Sequence, residues 1–207
     1  MASTAAKPQL SVRQQQGKRT RNKLVGSAIE LFSQQGISET TVGQIAAHAA
    51  VGKGTVYHHF EAKEDMVVAF MADLEGRLRE KLRRFAQIEA DLETVLVWYT
   101  RQRLRLMQPY RNFVRAVLAR TFAAHPGDQN WVTQANRAAT ETIEELLILL
   151  GERGMVRLGA EHADMVLQFR VLMSGITAQW AADGTSAVQV ERIVQQQMRM
   201  LARDWAV

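Results

Sequence analysis

Cysteine is absent from this 207-residue chain, which excludes disulfide frameworks, thiol nucleophiles and cysteine-based zinc sites and fits a reducing compartment. Proline is nearly absent: Pro8, Pro109 and Pro126 leave long stretches of strong helix formers uninterrupted. No alternation of Val, Ile and Thr is long enough for a strand, and no internal repeat marks a solenoid. The longest aliphatic run, Leu146 to Leu150, is far too short to span a bilayer. Met1 to Arg21 has no apolar core of a secretion signal, so a cytoplasmic location without membrane contact is expected. Catalytic signatures are missing too: there is no Gly-x-Ser-x-Gly, no His-Glu-x-x-His and no glycine-rich phosphate loop. Neither an enzyme nor a cofactor is expected.

What is present is an all-α pattern with 47% hydrophobic and 23% charged residues, enough to bury a proper core. The net charge of +5 is unevenly placed. Residues 1–63 hold eight basic side chains, Lys7, Arg13, Lys18, Arg19, Arg21, Lys23, Lys53 and Lys63, against Glu30, Glu39 and Glu61. Residues 64–207 carry 18 of each sign, so the whole excess lies in the first third and points to a polyanion-binding end.

Residues 1–17 read as a flexible basic tail. A first helix is expected from about Arg19 to Gln35, with Leu24, Ala28, Leu31 and Phe32 at helical spacing and Gly36 at its C-cap. Thr41 and Gln44 have the spacing of a capping box, opening a short helix from Val42 to about Ala49. A third, Lys53 to His59, is anchored by Val56 and Phe60. Three short elements around a tight turn describe a helix-turn-helix unit over residues 18–66. Stepping about 100° per residue from Val56 places Gly54, Thr55 and His58 on the outer face of the third helix and Tyr57 at its flank. Hydroxyls, an imidazole and a bare backbone are groups that meet phosphates or base edges, and no acid occurs from Gln44 to Phe60. His58 and His59 diverge by about 100° and do not readily share a metal ion. No metal site is expected.

The segment Thr41-Val-Gly-Gln-Ile-Ala-Ala-His-Ala-Ala-Val-Gly-Lys-Gly-Thr-Val-Tyr-His-His-Phe-Glu-Ala-Lys-Glu-Asp65 resembles the DNA-binding signature of the TetR/AcrR family of bacterial transcriptional regulators. The likeness covers roughly residues 18 to 66. It departs from the common pattern at Ala50, where Gly is usual, and at Gly52, where Ser commonly caps the recognition helix. The resemblance implies a homodimer that places its third helix in the major groove, with Thr41, Lys53, Gly54, Thr55, Tyr57, His58 and Lys63 at the DNA. Among these it implies that Lys63 neutralises a phosphate.

Residues 67–207 are then expected to form an effector-binding and dimerisation domain, for about nine helices in all. Arg103 falls on the apolar face of a helix from Leu92 to Met107, and its charge demands snorkelling, an internal carboxylate or an anionic ligand. Trp98, Tyr99, Arg103, Phe113, Val117, Trp131 and Met173 are the candidate effector pocket, although such stripes also serve as plain core. Met165, Phe169, Ile176, Val194, Met198, Leu201 and Trp205, on the last two helices, are the candidate dimer interface, with the monomer core as the alternative. The expected function is that of a homodimeric, ligand-responsive repressor of a palindromic, double-stranded DNA operator, released by a small-molecule effector. An activator of the same fold and a nonspecific architectural DNA-binding protein remain as alternatives.

Overall fold

The computed structural model describes residues 11–85, 88–122, 129–157, 159, 161–182 and 184–207. Among them run nine α-helices and one 3-10 turn, with no strand beyond an isolated bridge between Val156 and Ala206. Helix α1 (Val12–Gln35) starts where the Ser11 hydroxyl accepts from the Gln14 amide and the Gln14 side chain accepts in return from the Ser11 N–H. This start lies ahead of the expected Arg19, so residues 12–17, assigned to a flexible tail, form the first turns of α1 instead. Residues 1–10 of that tail lie outside the described residues. At the far end Gly36, at φ +88°, closes the helix by donating its N–H to Phe32.

Helices α2 (Val42–His48) and α3 (Lys53–His59) pack with α1 around Leu24, Phe32, Ile45, Val56 and Phe60, all buried. Each such side chain contributes roughly 1.5–3 kcal/mol on burial, which is what holds such short helices in place. Helix α4 (Glu64–Phe85) leaves this unit along a buried stripe of Met66, Phe70, Leu74, Leu78 and Leu82 and enters the larger helical body. There it packs lengthwise against α7 (Gln129–Glu152), flanked by the Arg83–Glu145 pair at 2.7 Å and Arg79–Glu141 at 3.5 Å. Helix α5 (Leu92–Met107), capped by Asp91, continues through a 3-10 turn at Gln108–Tyr110 into α6 (Arg111–Phe122). Helices α8 (His162–Ala181) and α9 (Ala187–Trp205) complete the body.

The last two helices correct an expectation. Met165, Phe169, Ile176, Val194, Met198, Leu201 and Trp205, assigned to a dimer interface, are all buried within the chain itself. The physical reason is that α8 and α9 pack on each other and on α5: Tyr99 and Trp205 flank Phe169 at 5.6 and 5.9 Å, and the Thr100 hydroxyl reaches the Met198 sulfur at 3.3 Å. The strongest apolar periodicity on each helix therefore points inward. Outward, α8 shows Leu167 and Val171, 49% and 62% exposed, followed by Ser174 and Gly175.

Candidate functional site

The turn between α2 and α3 is made by backbone geometry. Val51 donates its N–H to the Ala46 carbonyl and Ala50 donates to Ala47, the paired bonds of a Schellman closure, with Ala50 in the left-handed region at φ +49°. A side chain costs about 1–2 kcal/mol there, so the position where glycine is usual holds an alanine under strain. The chain then re-enters helix at Gly52, which is extended and caps α3 without a side-chain hydrogen bond. Thr41, as expected, caps α2: its hydroxyl accepts from the Gln44 amide at 3.2 Å and the Gln44 side chain accepts from the Thr41 N–H at 2.8 Å.

On α3, Val56 and Phe60 are buried, while Gly54, Tyr57 and His58 are exposed and Thr55 is half-buried. Tyr57 shows 59% of its surface, a large aromatic with no place in the core. Lys53 is exposed at the first turn, its stem lying across bare Gly43, where an added Cβ would stand 3.0 Å from the lysine Cε. Behind this face, Arg21 of α1 lies over the Phe60 ring at 4.9 Å, tying one of the basic residues of the first third to the end of α3. His59 stands edge-on to His58 at 5.1 Å between ring centroids. Burial first, then electrostatic repulsion from the neighbouring His58 and Arg21, hold its pKa below the ordinary histidine value. Among the described residues no group of three or more metal-ligating side chains converges.

Lys63 departs from its expected role. Its ammonium donates to the carbonyls of Ile37, Ser38 and Thr40 at 2.6, 3.0 and 2.7 Å, using all three of its donors inside the protein. Instead of facing a phosphate, it clamps the loop that delivers Thr41 to the start of α2. Lys63→Ala should accordingly lower stability by about 1.5–3 kcal/mol, the range for hydrogen bonds to a charged group. The salt dependence of DNA binding should keep its slope. A slope smaller by about 1 in the variant would restore the phosphate contact.

A second feature lies deeper. A cavity of about 180 Å³ is walled by Met71 of α4, Arg103 and Met107 of α5, Val114, Val117, Leu118 and Thr121 of α6, Asn136, Ala139 and Ile143 of α7, and Arg170, Met173, Ser174 and Thr177 of α8. Larger hollows among the described residues open more widely to the surface, and this one is more enclosed than they are. It gathers Arg103, Val117 and Met173 from the expected pocket and leaves out four aromatics. Trp98 stacks on Phe85 at 4.0 Å, Phe113 packs between Phe32 and Phe70, and Tyr99 and Trp131 are buried in the core. Arg103 finds an internal carboxylate, Glu75 of α4, which is fully buried. Burial alone would push the guanidinium pKa down, but the carboxylate beside it more than offsets this and holds it up. The pairing was not readable from spacing, since the two residues are 28 apart in the chain.

Residues 24–70, from within α1 to the first turns of α4, match the sequence profile described as "Bacterial regulatory proteins, tetR family". This segment belongs to the TetR family of DNA-binding domains. Within it, the chain is similar to the HTH-type transcriptional regulator SrpR of Pseudomonas putida, 36% identical over 78 residues, which is 38% of this chain and 37% of that protein. It is 38% identical over 80 residues to the HTH-type transcriptional repressor KstR2 of Rhodococcus jostii (strain RHA1), covering 37% of this chain and 39% of that one. The matched stretch thus spans under two-fifths of these relatives. The rest of the TetR-family fold is matched in shape: the Thermus thermophilus FadR, a repressor solved with lauroyl-CoA, aligns over 90% of this chain and 95% of its own with a TM-score of 0.70 at 24% identity. No helix among the described residues is long and apolar enough to cross a membrane.

Proposed function

We propose that this chain is a ligand-responsive transcriptional regulator, a homodimeric repressor that docks α3 of each protomer in successive major grooves of a palindromic operator and is released by a small-molecule effector. The observation that carries the reading is the outer face of α3: Gly54, Tyr57 and His58 exposed, Lys53 unpaired among the described residues, and no acid in the sequence from Gln44 to Phe60. Such a face suits base edges and phosphates, and the dimer's two-fold axis would be mirrored in the operator.

The coupling has a physical route. Helices α4 and α6 both pack on α1, with Phe113 of α6 stacked on Phe32 of α1 and edge-on to Phe70 of α4, and Arg120 of α6 donates to the Ser38 hydroxyl in the loop before α2. The same two helices supply walls of the cavity. An occupant that fits one arrangement of α4 and α6 better than another shifts the spacing of the two recognition helices, by no more than its difference in affinity for the two states. The exposed Leu167, Val171 and Ser174 stripe on α8 is the surface offered to a second copy, where small residues permit close helix approach. The cytoplasm is the compartment of such a protein, and catalysis has no part in the reading.

Selection of bound fragments from random DNA by the purified chain tests it. Enrichment of one inverted-repeat sequence supports the proposal; binding without sequence preference overturns it. On the selected site, Lys53→Ala should weaken binding and lower the salt slope by about 1, as removal of one phosphate contact does.

A further inference from the structure

We infer that the cavity between α4 and α8 takes a small amphiphilic carboxylate, and that the ligand acts by drawing Arg103 away from Glu75. The inference rests on the effector reading above and deepens it. Among the described residues lining the cavity, the ones that carry charge are Arg103 and Arg170, and no acid joins them. Arg103 is buried to 91%, and its Nε has no hydrogen-bond partner. Arg170 has no ion pair or side-chain hydrogen bond among the described residues. On its outer side Arg170 borders a surface groove that holds Glu141 and Glu144, of which Glu141 is already paired with Arg79 and Arg137. Thr121, Asn136, Ser174 and Thr177 add neutral polar groups, while Met71, Met107, Val114, Leu118 and Ile143 supply an aliphatic and thioether surface that takes an apolar body of adaptable shape. At about 180 Å³ the space is slightly larger than the roughly 150 Å³ that accommodates a benzene ring, which limits the body to a monocyclic or medium-chain group.

The buried polar cluster behind the wall is incomplete in a way that couples to α4. Arg103 bonds one oxygen of Glu75, and Glu75 Oε2 has no partner. The Tyr99 hydroxyl, buried beside Arg103, falls short of a hydrogen bond. A ligand carboxylate that accepts from Arg103 shares or replaces its bond to Glu75. Glu75 is then a buried charge with weakened compensation, and the pair's hold on α4 loosens. Because α4 runs directly from the DNA-binding unit, weakening this pair changes what positions α3.

The experiment uses octanoate, 1-octanol and octylammonium as probes of one chain length and three charges, titrated calorimetrically into the full chain. Octanoate should bind at least about tenfold more tightly than either of the others, as a charge-assisted contact requires. Arg170→Gln should weaken octanoate severalfold and leave octanol unchanged. Since Arg103→Met strands Glu75, the double variant Arg103→Met with Glu75→Leu is the fold-preserving control and should abolish the preference for octanoate. Equal or tighter binding of octanol or octylammonium, an unaltered octanoate affinity in Arg170→Gln, or no binding of any probe would each overturn the inference. The DNA-selection result is independent of this titration, so failure of the regulator reading and failure of the carboxylate assignment are told apart.

Discussion

Arg103→Met should destabilise the protein by about 3–5 kcal/mol, because the substitution removes the counter-charge of Glu75 and leaves a carboxylate in a fully buried site. The cost arises from the stranded charge more than from the lost bond. Replacing both members, Arg103→Met with Glu75→Leu, should therefore recover most of the stability, since a buried pair exchanged for apolar groups of similar volume is often neutral or stabilising. Urea denaturation of the wild type and the two variants checks this through the midpoints at constant slope. A loss of no more than about 1 kcal/mol in the single variant, the value of an exposed pair, would mean that water reaches Glu75. The contrast with the surface pairs is instructive: Arg77 and Asp73 are both more than half exposed, and screening leaves such a pair little to contribute.

Phe113→Ala should cost a comparable amount, about 3–5 kcal/mol, and should do so with a different signature. Phe113 of α6 is fully buried, stacked on Phe32 of α1 at 6.4 Å and edge-on to Phe70 of α4 at 5.1 Å. It stands where the DNA-binding unit meets the larger body, so its truncation opens a cavity at the junction of three helices. In the wild type, amide exchange of α1–α3 and loss of overall helicity should follow one transition. In the variant, exchange in α1–α3 should rise at denaturant concentrations where the larger body is still folded. A single coincident transition would place the coupling elsewhere.

Several elements were legible because their determinants are local. The capping box at Thr41 and Gln44, the α3 anchors Val56 and Phe60, and the α4 stripe from Met66 to Leu82 all follow from spacings within a few residues. The early start of α1 was equally local: Ser11 and Gln14 have the same capping-box spacing as Thr41 and Gln44, and Ser186 and Gln189 repeat it at α9. Glycine at position 17 and the polar run before Arg19 obscured the signal. The inward direction of the α8 and α9 stripes could not be separated from an outward one by periodicity, since a stripe declares only that it will be buried against something.

The sequence by itself determined the helical class, the placement of the whole +5 in the first third and the identity of the residues on the outer face of α3. It could do so because helix caps, turns and faces depend on neighbours three or four positions away. Tertiary structure alone decided that Lys63 clamps carbonyls 23 to 26 residues distant, that Arg103 selects Glu75 from among 21 acids, and that five helices converge on one cavity. Those partners are chosen by which helices are brought together in packing, and a charge buried by that packing binds whichever opposite charge is buried with it.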